Sequence, residues 1–176
     1  NGGDIAVTND SREEYVALYV DYLINKSVNT QFEAFKGGFK KVCGGAALDM
    51  FSAVDLELLI CGNPVLDFEA LKEGTRYEDG YDGSEQVIVH LWEVLLALDD
   101  DEKKLFLKFV SGSDRSPIDG LSKMGFVISR NGDDDSRLPS AHTCFNHLLL
   151  PQYSSKEVLS TRVKYCIQES EGFGLM

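Results

Sequence analysis

The sequence has no apolar run near the roughly 18–20 residues that a bilayer-crossing helix requires. Its first residues, Asn1-Gly2-Gly3-Asp4, carry no initiator methionine and no basic leader, so the expectation is an excised piece of a longer chain. A basic stripe is also missing. The formal net charge is −12, and the densest cationic stretch, Lys36 to Lys41, holds three lysines. Such a surface repels polyanions, so neither nucleic acid nor membrane is an expected partner. The four cysteines, Cys43, Cys61, Cys144 and Cys166, include no Cys-x-x-Cys pair. Irregular spacing of this kind argues against a disulfide framework and for free thiols in a reducing compartment, the cytoplasm or the nucleus. Of the three histidines, His90, His142 and His147, only the last two join a cysteine at anything near ligand spacing. No metal and no cofactor is expected.

What remains is ordinary globular material, 43% hydrophobic and 26% charged, enough for one packed domain or one domain and part of another. Residues 11–43 read as two helices with a break at Asn25 to Asn29. Tyr15, Leu18, Tyr19 and Tyr22, then Phe32, Phe35 and Phe39, recur at three- and four-residue spacing. Val54 to Cys61 is a short apolar helix stopped by Gly62-Asn63-Pro64, the candidate hinge. Another short helix is expected at Phe68 to Glu73, before a tight loop at 79–83. Glu85 to Leu98 places Val87, Ile88, Leu91, Trp92, Leu95 and Leu98 on one face. The next helix opens at Asp99 with Glu102 three residues on, close to a capping box, and stops at Ser111-Gly112.

Beyond Pro117 the pattern changes. Phe126-Val127-Ile128 and Cys144 to Leu150 read as strands, and a last helix starts near Ser154, with Glu157 as a second capping-box signal. The fold class is α+β, a small mixed sheet flanked by helices. On an extended chain His142 shares a face with Cys144, where an imidazole can assist a thiol that is otherwise only a few per cent thiolate at neutral pH. Thr143 and Asn146 add hydrogen-bonding groups. Spacing alone leaves two readings open, and it favours the plainer one: Cys144 as inert strand packing and His142 as a structural histidine. His147 reads as a surface residue.

The string Leu138-Pro139-Ser140-Ala141-His142-Thr143-Cys144-Phe145-Asn146 resembles the active-site segment of HECT-type ubiquitin ligases. Glu57 to Gly62, Tyr77-x-x-Gly80-Tyr81, Phe106 to Arg115, Leu149 to Ser154 and the tail Gly172 to Met176 resemble the same family in the same order. Within it, the nearest resemblance is to the group of the Angelman-syndrome ligase, E6-associated protein. The resemblance implies two lobes: residues 1–61 as the last helices of the larger lobe, 62–65 as the hinge, and 66–176 as the catalytic lobe. It implies that Cys144 accepts ubiquitin from a conjugating enzyme as a thioester and passes it to a substrate lysine, with His142 and Thr143 as supporting groups and Phe173 as a tail anchor. The implied partners are ubiquitin, a conjugating enzyme and protein substrates, with the main enzyme-docking platform expected upstream of Asn1. Two rivals stand beside it: a non-catalytic ubiquitin- or partner-binding module, and a cysteine peptidase. The second suits the residues poorly, because its base would be His142, two positions away on the same segment.

Overall fold

A computed structural model describes residues 2–169. The chain divides into two units, Asn1–Ala53 and Val54–Met176. In the first, α1 (Arg12–Asp21) runs into a π-helical turn at Tyr22–Lys26, and α2 (Asn29–Cys43) follows. The expected break therefore lies inside a nearly continuous helical path. Gly44 ends α2 by turning extended. The predicted aromatic stripes form, with Tyr15 stacked on Tyr19 at 5.9 Å and Phe35 on Phe39 at 5.8 Å. No described residue of this unit is buried.

The second unit holds the core. Its helices are α3 (Ala53–Cys61, whose first residue belongs to the preceding unit), α4 (Phe68–Gly74), α5 (Gln86–Leu96), α6 (Asp100–Ser111) and α7 (Lys156–Glu169). The predicted apolar face is fully used: Val87, Ile88, Leu91, Trp92 and Leu95 of α5 and Leu98, two residues beyond its end, are all buried. They meet Phe106, Leu107 and Val110 of α6 and Leu159, Val163 and Ile167 of α7 in one apolar cluster. Fully burying each such side chain contributes about 1.5–3 kcal/mol. The capping box at Asp99 and Glu102 is present in both directions, and Gly112 closes α6 in the left-handed conformation. The last helix starts one residue later than expected. Ser155, not Ser154, accepts from the Val158 amide, because the Ser154 hydroxyl donates to Asp135 instead.

Four strands, β1 (Arg76–Glu78), β2 (Val127–Arg130), β3 (Ser140–His142) and β4 (His147–Leu150), form a sheet in the order β1-β2-β4-β3. The β1–β2 and β2–β4 pairs are parallel and β3–β4 is antiparallel. The mixed sheet flanked by helices is thus as expected. Register fixes its two faces. Ile128, Leu148 and Leu150 point into the helical core. By the same alternation Val127, Ser129, His147, Leu149 and His142 share the opposite face.

Residues 62–65 are tied down. Gly62 sits at φ +86°, where a Cβ would approach the Ser116 carbonyl oxygen to 2.5 Å, so glycine is required. Asn63 and Ser116 exchange two backbone hydrogen bonds of 2.9 Å, and the buried Ser116 hydroxyl donates to the Asn63 and Val65 carbonyls. Arg115 pairs with Glu57 of α3 at 3.0 Å. These bonds tie α3 to the segment after α6 within the second unit.

Candidate active site

Cys144 does not lie in a strand. Residues 143–146 connect β3 to β4 as a hairpin, and Thr143–Phe145 form a single 3-10 turn. Asn146 then takes φ +49°, ψ +47°, the left-handed conformation that asparagine tolerates better than most residues. The face-sharing expected for His142 and Cys144 on an extended chain does not apply, since the backbone turns between them. His142, Thr143, Cys144 and Phe145 are all exposed, Phe145 to 73%. The thiol is therefore offered to solvent on a hairpin tip, which removes the inert-packing reading.

The tip is exposed, but its base is fixed. The Asn146 side-chain amide donates to the Met124 carbonyl at 2.8 Å, and the Asn146 carbonyl accepts from the Val127 amide at 3.0 Å. On the approach to β3, the Tyr153 hydroxyl donates to the Arg137 carbonyl at 2.9 Å, and the Cys166 thiol to the Pro139 carbonyl at 3.6 Å. Gly112, at the end of α6, comes close to Thr143. Burial pushes the Tyr153 hydroxyl well above the usual tyrosine range and the Cys166 thiol up to about 11. Both groups stay protonated at neutral pH and so keep donating to the loop.

His142 and His147 face each other across the β3–β4 ladder, with ring centroids 6.0 Å apart and planes inclined by 59°. His147 is half-buried rather than a surface residue, and its Nε2 lies 2.6 Å from the hydroxyl of the fully buried Ser129. Sequence reasoning missed this pair. Its signal is a polar residue in each of two neighbouring strands, legible only once the register is known. Phe173 lies outside the described residues. Among the described residues no group of three or more His, Cys, Asp or Glu could hold a metal ion. No helix among them is long and apolar enough to cross a membrane.

The arrangement suits acyl transfer through sulfur: an accessible nucleophile on a rigid base, with an imidazole and a hydroxyl on the adjoining residues. Among the described strands β3 lies at the edge of the sheet. The family model for the HECT domain, described as a ubiquitin-transferase, matches residues 1–176. The human protein named "Probable E3 ubiquitin-protein ligase HECTD2" is 47% identical over 175 residues, covering 99% of this chain and 22% of the relative. Human HERC4, also named a probable E3 ubiquitin-protein ligase, is 43% identical over 176 residues, covering 100% of this chain and 17% of the relative. HUL4 of Eremothecium gossypii, named likewise, is 37% identical, covering 99% of this chain and 21% of the relative. The chain spans about a fifth of the length of these curated relatives. It belongs to the HECT-domain family.

Proposed function

We propose that this chain carries the catalytic cysteine of a HECT-type ubiquitin-protein ligase, and that Cys144 is that cysteine. The observation that supports it most is an exposed thiol on a hairpin turn whose base is held by Asn146, Tyr153 and Cys166. In the first step the Cys144 thiolate attacks the thioester carbonyl at the C-terminus of ubiquitin. The new carbon–sulfur bond forms, and the conjugating enzyme's cysteine leaves as thiolate. One thioester replaces another, so no strong driving force is needed. In the second step the unprotonated amine of a substrate lysine attacks the same carbonyl. An isopeptide bond forms, the Cys144 thiolate leaves, and the amine proton passes to a base or to water. His142 and Thr143 support these steps from positions beside the nucleophile. The donor ubiquitin tail adds to the open edge of β3. Phe173 serves as the tail anchor during transfer to lysine.

Residues 1–61, 62–65 and 66–176 would be, respectively, part of the larger lobe, the hinge and the catalytic lobe. The partners are ubiquitin, a conjugating enzyme and protein substrates, in the cytoplasm or nucleus, where free thiols persist. A relationship to the E6-associated protein group rests on the ordered family-like segments. A charging assay on the full-length protein with activating enzyme, conjugating enzyme and ubiquitin tests the core of this reading. A reductant-sensitive adduct that disappears in Cys144→Ala supports it. Ubiquitin binding without any adduct would make the chain a binding module instead.

A further inference from the structure

In the proposed chemistry His142 supports the steps at Cys144, yet it is an exposed side chain at the end of a three-residue strand. Such a ring samples several rotamers, and a group left to do so is poorly organised for transfer. Its neighbour on β4 is in a different situation. His147 occupies the first position of that strand, directly opposite His142 in the antiparallel register. It is also aligned with Val127 in the parallel register with β2, so Ser129, two residues further along β2, projects from the same face. The Ser129 hydroxyl has no exposure to solvent and sits 2.6 Å from His147 Nε2. A buried hydroxyl left without a partner is costly, so this bond is retained and fixes the plane of the His147 ring. That ring in turn lies 6.0 Å from the His142 ring, inclined by 59°.

We propose that Ser129 and His147 form a positioning pair that holds the His142 ring beside the Cys144 turn. The order of support runs from the fixed centre of the sheet outward: buried Ser129 on β2, half-buried His147 on β4, exposed His142 on β3. A purely space-filling residue at position 147 would be served by an apolar side chain, as at Leu149 on the same face of the strand. A histidine bonded to a buried serine instead supplies a directional contact, and direction is what a ring needs to orient another ring. His147 touches no reacting atom in this arrangement. It acts through His142.

The inference rests on the proposed ligase activity, and its test separates the two. In the full-length protein, loss of the ubiquitin adduct in Cys144→Ala establishes the activity. An adduct that persists in that variant would remove the underlying reading and the positioning role with it. Single-turnover discharge of the preformed thioester to free lysine then probes the pair. His147→Ala and Ser129→Ala are each expected to slow discharge about three- to tenfold, toward the lower end of the coupling between neighbouring groups. The KM for the charged conjugating enzyme is expected to stay unchanged. In a His142→Ala background, His147→Ala is expected to add nothing, because the ring it positions is gone. His147→Gln keeps a group able to bond Ser129 but lacks the ring, so it is expected to retain the melting temperature and still discharge slowly. Discharge by His147→Gln within about twofold of wild type would overturn the proposal. So would a full additional loss from His147→Ala when His142 is already absent.

Discussion

Cys144 and Cys166 belong to the same framework and are used in opposite ways. Cys166 lies on α7 within the apolar core, 8% exposed, and its thiol is pushed up to about 11 by burial. Its thiol donates to the Pro139 carbonyl, five residues before Cys144. Cys144 stands on the hairpin turn with its side chain in solvent. The buried thiol helps to fix the loop that presents the exposed one. Burial turns a cysteine into a packing and tethering group, whereas exposure on a fixed turn turns it into a candidate nucleophile. Residue type and spacing carry none of this distinction.

The comparison breaks most readily in a labelling experiment. Under native conditions an alkylating reagent is expected to modify Cys43, Cys61 and Cys144, all exposed, and to spare Cys166. The rate difference is on the order of 100-fold or more, since Cys166 needs local opening of α7. Mass mapping of the modified peptides checks it, and fast labelling of Cys166 would dissolve the contrast. The second test removes the framework. Ile128→Ala, at a position with no solvent exposure, is expected to cost about 2–5 kcal/mol and lower the urea midpoint accordingly. Labelling of Cys166 should then accelerate far more than that of Cys144.

Alkaline titration sharpens the same contrast. The folded state holds the Cys166 thiol protonated to about 11, against an ordinary value near 9.0, and the Tyr81 hydroxyl to about 12, against 10.0. Burial is the leading cause of both shifts. The unfolded chain therefore loses these protons first. The associated stability is fully present below about pH 9 and is lost as pH rises through 9–12. Chemical denaturation at pH 8, 10 and 11 is expected to show a falling midpoint, with the first part of the fall reduced in Cys166→Ala. At neutral pH the smallest effect comes from the cysteines themselves. Cys166→Ala should cost about 1–2 kcal/mol through lost packing and the lost bond to Pro139. Cys144→Ala, at an exposed position, should stay within about 0.5 kcal/mol of wild type. Melting curves of the two variants distinguish these outcomes.

Much of the framework is legible in the sequence because it is local. The apolar faces of α5 and α6, the Asp99–Glu102 capping box and the stop at Gly112 follow from three- and four-residue spacing and from capping chemistry. The three-residue strands β1 and β3 are not legible: the partner of β1 is β2, some fifty residues on (Arg76 pairs with Val127), and nothing in Arg76–Glu78 or Ser140–His142 requires a strand in isolation. The turn at Cys144 escapes for a related reason. Its apolar neighbours suggest a continuous strand, and only the hairpin pairing of His142 with His147 forces the reversal completed by left-handed Asn146. Ser154 looks as good a helix cap as Ser155 until Asp135 claims its hydroxyl. The Ser129–His147 bond depends on strand register and is invisible to any local pattern. The family-like surroundings single out Cys144 as the candidate in the sequence, whereas its accessibility is a property of the fold.

The most direct test is peptide mapping of the ubiquitin adduct on wild-type full-length protein after charging and before reduction. A single thioester is expected, located on Cys144, with Cys43, Cys61 and Cys166 unmodified. An adduct on Cys61 or Cys43, or none on any cysteine while substrate ubiquitination proceeds, would contradict it.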